Sequence, residues 1–139
     1  MLVRILIAIG YPAGLIAVWG LTSLITDTDV ITQSDAGPLL GPSMALAATV
    51  VTALWVFVER RALVLPVLGA VASAYLAMLV VGAIGYTFAR GKAAWVLLFA
   101  ADYAVSPFVI GAAALSGAAV VLAFATSARS SFDRPKRGG

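Results

Sequence analysis

The chain of 139 residues contains no cysteine and no histidine. Without a thiol or an imidazole it supplies no disulfide, no thiolate nucleophile, no haem ligand and no Cys/His metal cage. Charge is scarce as well: 11% of residues carry one, against about 25% in an average soluble domain. Hydrophobic residues make up 63%, where a soluble domain averages about 45–50%, so too little polar surface remains to cover a water-facing globule. The acids are Asp27, Asp29, Asp35, Glu59, Asp102 and Asp133, and only Asp102 lies within reach of an apolar run. Acid/base catalysis by paired carboxylates, or a carboxylate metal cluster, needs at least two such groups across a dry pocket. We therefore expect no enzyme, no metal and no cofactor. The net charge of +3 does not point to nucleic acid, because no basic face is interleaved with aromatics.

What is present is length without charge. Four charge-free runs, Ile5–Ile25, Leu39–Val58, Ala62–Ala89 and Tyr103–Ala128, are 20 to 28 residues long, and about 20 apolar residues in helical form cross a bilayer core. Backbone polar groups cannot stay unpaired in lipid, so each run is expected to be helical. The expected fold is all-α: an integral membrane bundle of four transmembrane helices, one domain over residues 1–128 with spans near 5–25, 39–58, 62–89 and 103–128. A flexible basic tail, 129–139, follows. The first run exceeds a signal-peptide core of about 7–15 residues and no A-x-A site precedes Asp27, so it reads as an uncleaved span.

Loop charges set the orientation. The connection Thr26–Pro38 carries three Asp and no cation, while Glu59-Arg60-Arg61 alone joins spans two and three, forcing a helical hairpin. With both ends cytoplasmic (N-in/C-in), seven cations (Arg4, Arg60, Arg61, Arg129, Arg134, Lys136, Arg137) lie inside and two (Arg90, Lys92) outside. That obeys the positive-inside rule and predicts a plasma-membrane protein in contact with the lipid bilayer. Trp55 and Phe57 are expected in the inner aromatic belt and Trp95 in the outer one; Trp19 is too deep for a belt and reads as packed between helices or lipid-facing. Ser34 or Asp35 can cap the second span, whose Pro38 and Pro42 suit a first helical turn.

Lipid is as apolar as leucine, so small residues that permit close approach must hold the helices together. Gly10-x-x-x-Gly14 in the first span, Gly69-x-x-x-Ser73 in the third and Ala113-x-x-x-Gly117 in the fourth are the candidate contacts. The same motifs serve docking on a larger membrane complex or homo-oligomerisation. Pro12 should kink the first span.

From Ala93 to Ala128 the chain is apolar except for Asp102, and 36 residues of helix would reach about 54 Å. Either that helix tilts, or residues 93–103 form a shallow interfacial segment that turns into the true span near Ser106-Pro107. Asp102 is then an anchor paired with Arg90 or Lys92, or a proton or cation site assisted by Tyr103 and Ser106. Through Asp27–Met44 and Leu97–Leu115 the chain resembles a group of small uncharacterised four-helix membrane proteins of actinobacteria, a resemblance that implies no activity. Two functions follow as expectations: a non-catalytic membrane protein, such as an accessory or assembly subunit of a larger complex, or a small homo-oligomeric transporter or channel using Asp102.

Overall fold

A computed structural model describes residues 1–31, 38–58, 62–91 and 95–132 of the chain. Among these the helices are α1 (Leu2–Thr26), α2 (Leu40–Phe57), α3 (Val64–Arg90), α4 (Trp95–Ala104) and α5 (Pro107–Phe132), with no strand. The four longest are long and apolar enough to cross a membrane. The expected linker Glu59–Arg61, the caps Ser34 and Asp35, Lys92 and the tail from Asp133 lie outside the described residues.

Local chemistry sets the helix ends. α1 runs through Pro12 without a break in the helix, although the ring removes the N–H that would bond the Ala8 carbonyl. It stops at Asp27, whose φ of 50° is left-handed, a conformation that a short polar side chain tolerates. Ser23 and Thr26 then tie down the turn, the first donating to the Thr28 carbonyl at 2.7 Å and the second meeting the Thr28 hydroxyl at 2.6 Å. α3 ends at Gly91, with φ of 68° and its N–H on the Thr87 carbonyl, the left-handed stop that glycine adopts without strain.

The last run is divided. Helix stops at Ala104 and restarts at Pro107, so the span begins four residues later than Tyr103 and continues past Ala128 to Phe132. The cause is Pro107, which offers no N–H to the Tyr103 carbonyl and pushes Ser106 out of the helical region. The Ser106 N–H takes that carbonyl instead at 3.0 Å, and the Ser106 carbonyl accepts from Ile110 to open α5.

The bundle alternates in direction. Arg4 meets Ser127 at one end, while Trp19 reaches the Phe108 carbonyl towards the other; α2 and α3 form an antiparallel pair, with Trp55 beside Gly69 and Leu40 beside Gly85. The start of α1 and the late part of α5 thus share one end. α3 and α5 are the inner pair, α2 leans on α3, α1 leans mainly on α5, and α4 folds back along α3. Buried residues in α2 and α3 recur every four positions (Met44, Ala48, Thr52, Val56; Pro66, Ala70, Ala74, Met78, Gly82), the rows along which helices interlock.

Candidate functional site

The sequence singles out Asp102, so its surroundings come first. Phe99 and Tyr103, spaced by one helical turn, are the buried face of α4; their rings stack at 4.2 Å, and Phe99 lies 5.3 Å from the Tyr86 ring on α3. That face turns the neighbouring Asp102 outward, where it is exposed. Asp102 shares a shallow pocket of about 280 Å³ with Asp29, Thr28, Tyr103, Ser106 and Pro107. This pocket holds two carboxylates and no cation among its lining residues. Arg90 lies 5.7 Å above the Tyr86 ring, and no ion pair joins it to Asp102 among the described residues. The structure therefore brings Asp102, Tyr103 and Ser106 together in space, but Asp102 stands on the surface, Tyr103 packs in the core and Ser106 starts a helix.

The break between α4 and α5 is itself held. The Ala104 carbonyl, left without a helical partner, accepts the Tyr75 hydroxyl of α3 at 2.6 Å. Tyr75 is thus a packing group that fastens the end of α4 to the centre of α3.

A second polar locus has no counterpart in the sequence reading. Thr52 of α2 and Ser116 of α5 are fully buried. The Thr52 hydroxyl donates to Ser116 Oγ at 2.8 Å, and Ser116 donates to the Ala70 carbonyl of α3 at 3.3 Å. Beside Thr52, the Tyr11 hydroxyl of α1 donates to the Ala112 carbonyl of α5 at 3.1 Å. All four long helices contribute to this layer. Among the described residues no buried side-chain nitrogen or oxygen lacks a partner, and no three His, Cys, Asp or Glu side chains converge as a metal site would require. Hydroxyls do not titrate near neutral pH, so what this layer can do is fix the register of the helices.

The small residues divide. A methyl on Gly69 would land inside the Trp55 ring, whose indole N–H donates to Ser73 Oγ at 2.8 Å; Ser73 in turn donates to the Gly69 carbonyl. Trp55 is therefore wedged half-buried between α2 and α3, where the sequence placed it in an aromatic belt. The notch in α3 that admits the indole lies against the last turn of α2, so the packing is found at the helix end. Gly14 faces Leu115, Gly117 faces Val71 and Ala113 is buried. Gly10 has nothing within 4 Å. It lines a groove of about 400 Å³ between α1 and α5, together with Leu6, Gly14, Leu115, Ala118 and Leu122.

Residues 1–138 match a family of unknown function, DUF6121. The chain belongs to DUF6121. No curated protein and no solved structure matches it. The expected likeness to a group with no assigned activity agrees with the family in that one respect, and the geometry of this DUF6121 member has to carry the functional reading.

For this DUF6121 chain the hydroxyl layer is testable by a double-mutant cycle of Thr52→Val and Ser116→Ala. Interhelical hydrogen bonds in membranes couple by about 0.6 kcal/mol on average and about 1.7 at most, and residues in direct contact are expected to be non-additive. Unfolding by an SDS titration in mixed micelles should return a coupling in that range. Strict additivity would mean that the hydroxyls do not communicate.

Proposed function

We propose that the chain is a non-catalytic multi-pass protein of the plasma membrane, with both ends cytoplasmic, that acts as an accessory or assembly subunit by taking a transmembrane helix of a larger complex against α1. The observation that carries this reading is the uncovered face of α1. Leu6, Gly10, Ala13, Ala17, Gly20 and Leu24 are all exposed, and at 100° per residue they fall on one line opposite the buried Tyr11, Leu15 and Trp19. The exposed lines of α2 and α3 carry bulky Leu46, Val50 and Leu54, and Leu68, Leu76 and Val80. Small residues admit another backbone; branched ones face lipid equally well.

Other features support the rest. Exposure of Asp102 and full pairing of the described buried polar groups speak for a structural role over proton or cation transfer. Seven cations against two support the orientation. Arginine outnumbers lysine by seven to two, and alanine, valine and glycine are abundant, which supports a GC-rich source of the actinobacterial kind.

Because the chain has no cysteine, single cysteines give clean readouts. Ala17→Cys, labelled with a benzophenone maleimide and irradiated in native membranes so that the ketone inserts into a neighbouring C–H bond, is expected to yield one discrete adduct with another protein, and Leu76→Cys on the exposed face of α3 none. An adduct only between copies of the chain would favour the homo-oligomer, and no adduct at Ala13, Ala17 or Gly20 would remove the docking face. Thr32→Cys should react with an impermeant maleimide from outside the cell; protection there would reverse the orientation.

A further inference from the structure

We propose that the groove between α1 and α2 binds a lipophilic monovalent cation, an apolar body with one positive charge and no hydrogen-bonding groups. The groove measures about 790 Å³, within the range of about 300–1,000 Å³ typical of sites for small organic ligands. Its walls include Pro12, Ile16 and Trp19 of α1 and Pro42, Ala45 and Leu46 of α2, and the chain that follows α1 adds Asp29 and Val30. Ile16 is 68% exposed and Leu46 65%, so the groove opens sideways from the bundle.

Its polar side chains select the ligand. Thr49 lines the groove, but its hydroxyl donates to the Ala45 carbonyl at 2.8 Å. The Trp19 N–H is likewise taken, by the Phe108 carbonyl. That leaves the Asp29 carboxylate as the one charged group in the described lining. A ligand rich in hydroxyls or amides would lose its hydrogen bonds against these walls, and an anion would meet repulsion. An indole in the wall acts in the same direction, since an aromatic ring attracts a cation.

Asp29 does not act alone. Asp29 and Val30 also line the shallow pocket that holds Asp102, so a second carboxylate stands behind the shared wall. No lysine or arginine lines either space among the described residues. Helix dipoles do not reverse the sign. Of the helices that line the two spaces, α1 and α4 bring their carboxyl ends to this side and α2 and α5 their amino ends, an offset of two against two. No residue of α3 or α5 lines the groove among the described residues, so it runs along the bundle and not through it, a place for binding and not for transfer. It shares no residue with the exposed line of α1 argued above, and the two readings stand or fall separately.

The probes are tetraphenylphosphonium and tetraphenylborate, two ions of the same shape and opposite charge. Each is dialysed to equilibrium against the full chain in neutral detergent at low salt, with protein-free micelles as the blank. The wild type is expected to bind one phosphonium per chain about tenfold more tightly than the borate, the scale of one charge pair at a water-facing site, and added salt should narrow the difference. Asp29→Asn should cut the preference to about threefold, Asp29→Glu should keep it, and Asp29→Asn with Asp102→Asn should abolish it. Ala45→Phe, which fills the groove from its floor, and Leu46→Trp, which narrows it from its exposed rim, should weaken both ions alike. Equal binding of the two ions by the wild type would overturn the proposal and leave the groove to uncharged lipid chains. An undiminished preference in the double asparagine variant, or undiminished binding in Leu46→Trp, would overturn it as well by moving the cation elsewhere.

Discussion

The Gly82→Val variant is expected to unfold more easily than the wild type by about 1–3 kcal/mol, the usual effect of overpacking a filled core. Position 82 of α3 is where α2 and α4 converge: a Cβ there would meet Phe99 Cε1 at 2.5 Å and Met44 Sδ at 3.0 Å. Methionine can turn aside. Phe99 cannot, because its ring is 1% exposed and held between Tyr86 and Tyr103. Valine brings two further methyl groups on a stiff χ1, so α4 has to lift from α3. The matched control is Gly20→Val, at a position with nothing within 4 Å. An SDS titration in mixed micelles, read by tryptophan fluorescence, should separate the two variants clearly. If Gly82→Val is as stable as Gly20→Val, then α4 does not pack on α3 through Phe99.

The sequence carries the features that depend on composition and short spacing. Charge-free length marks the four long helices, Pro107 marks the division between α4 and α5, and the spacing of Gly69, Gly14 and Gly117 picks out three contacts that the structure contains. Features that depend on how one helix is rotated and shifted against another are not legible in this way. Thr52 and Ser116 are 64 positions apart, and each alone is an ordinary hydroxyl in an apolar run; only the register of α2 against α5 makes them partners. Trp55 has the depth of a belt residue, and depth does not reveal the notch at Gly69. Gly10 lies one turn from Gly14 on the same side of α1 and lines the same groove against α5, but there the helices stand far enough apart that nothing comes within 4 Å of it, a separation that the motif does not encode. For Asp102 a usable signal was present. Phe99 and Tyr103 at i and i+4 mark the packed face of a helix, and Asp102, 100° from Tyr103, falls at its side.

Trp19→Ala is expected to destabilise the bundle by about 3 kcal/mol, the lower end of the range for cutting a core aromatic to alanine. The lower end applies because lipid or detergent replaces water around the separated helices, so lost packing and not lost transfer energy dominates. α1 is the least buried of the four long helices, and its buried residues are Tyr11, Leu15 and Trp19 alone. Removing the largest of the three weakens the helix that the rest of the bundle holds least. Trp19→Phe separates the two contributions of the side chain: the ring stays, while the 3.1 Å bond from the indole N–H to the Phe108 carbonyl is lost. That carbonyl lies in the first turn of α5, where the N–H four residues on can still satisfy it. The phenylalanine variant should therefore lose only about 1 kcal/mol, the net worth of one hydrogen bond. Trp55 and Trp95 remain as fluorescent reporters in both variants. Losses of equal size would show that the hydrogen bond, and not the packing of the indole, fastens α1 to α5; no loss in either would mean that α1 is held through Tyr11 and Leu15 without it.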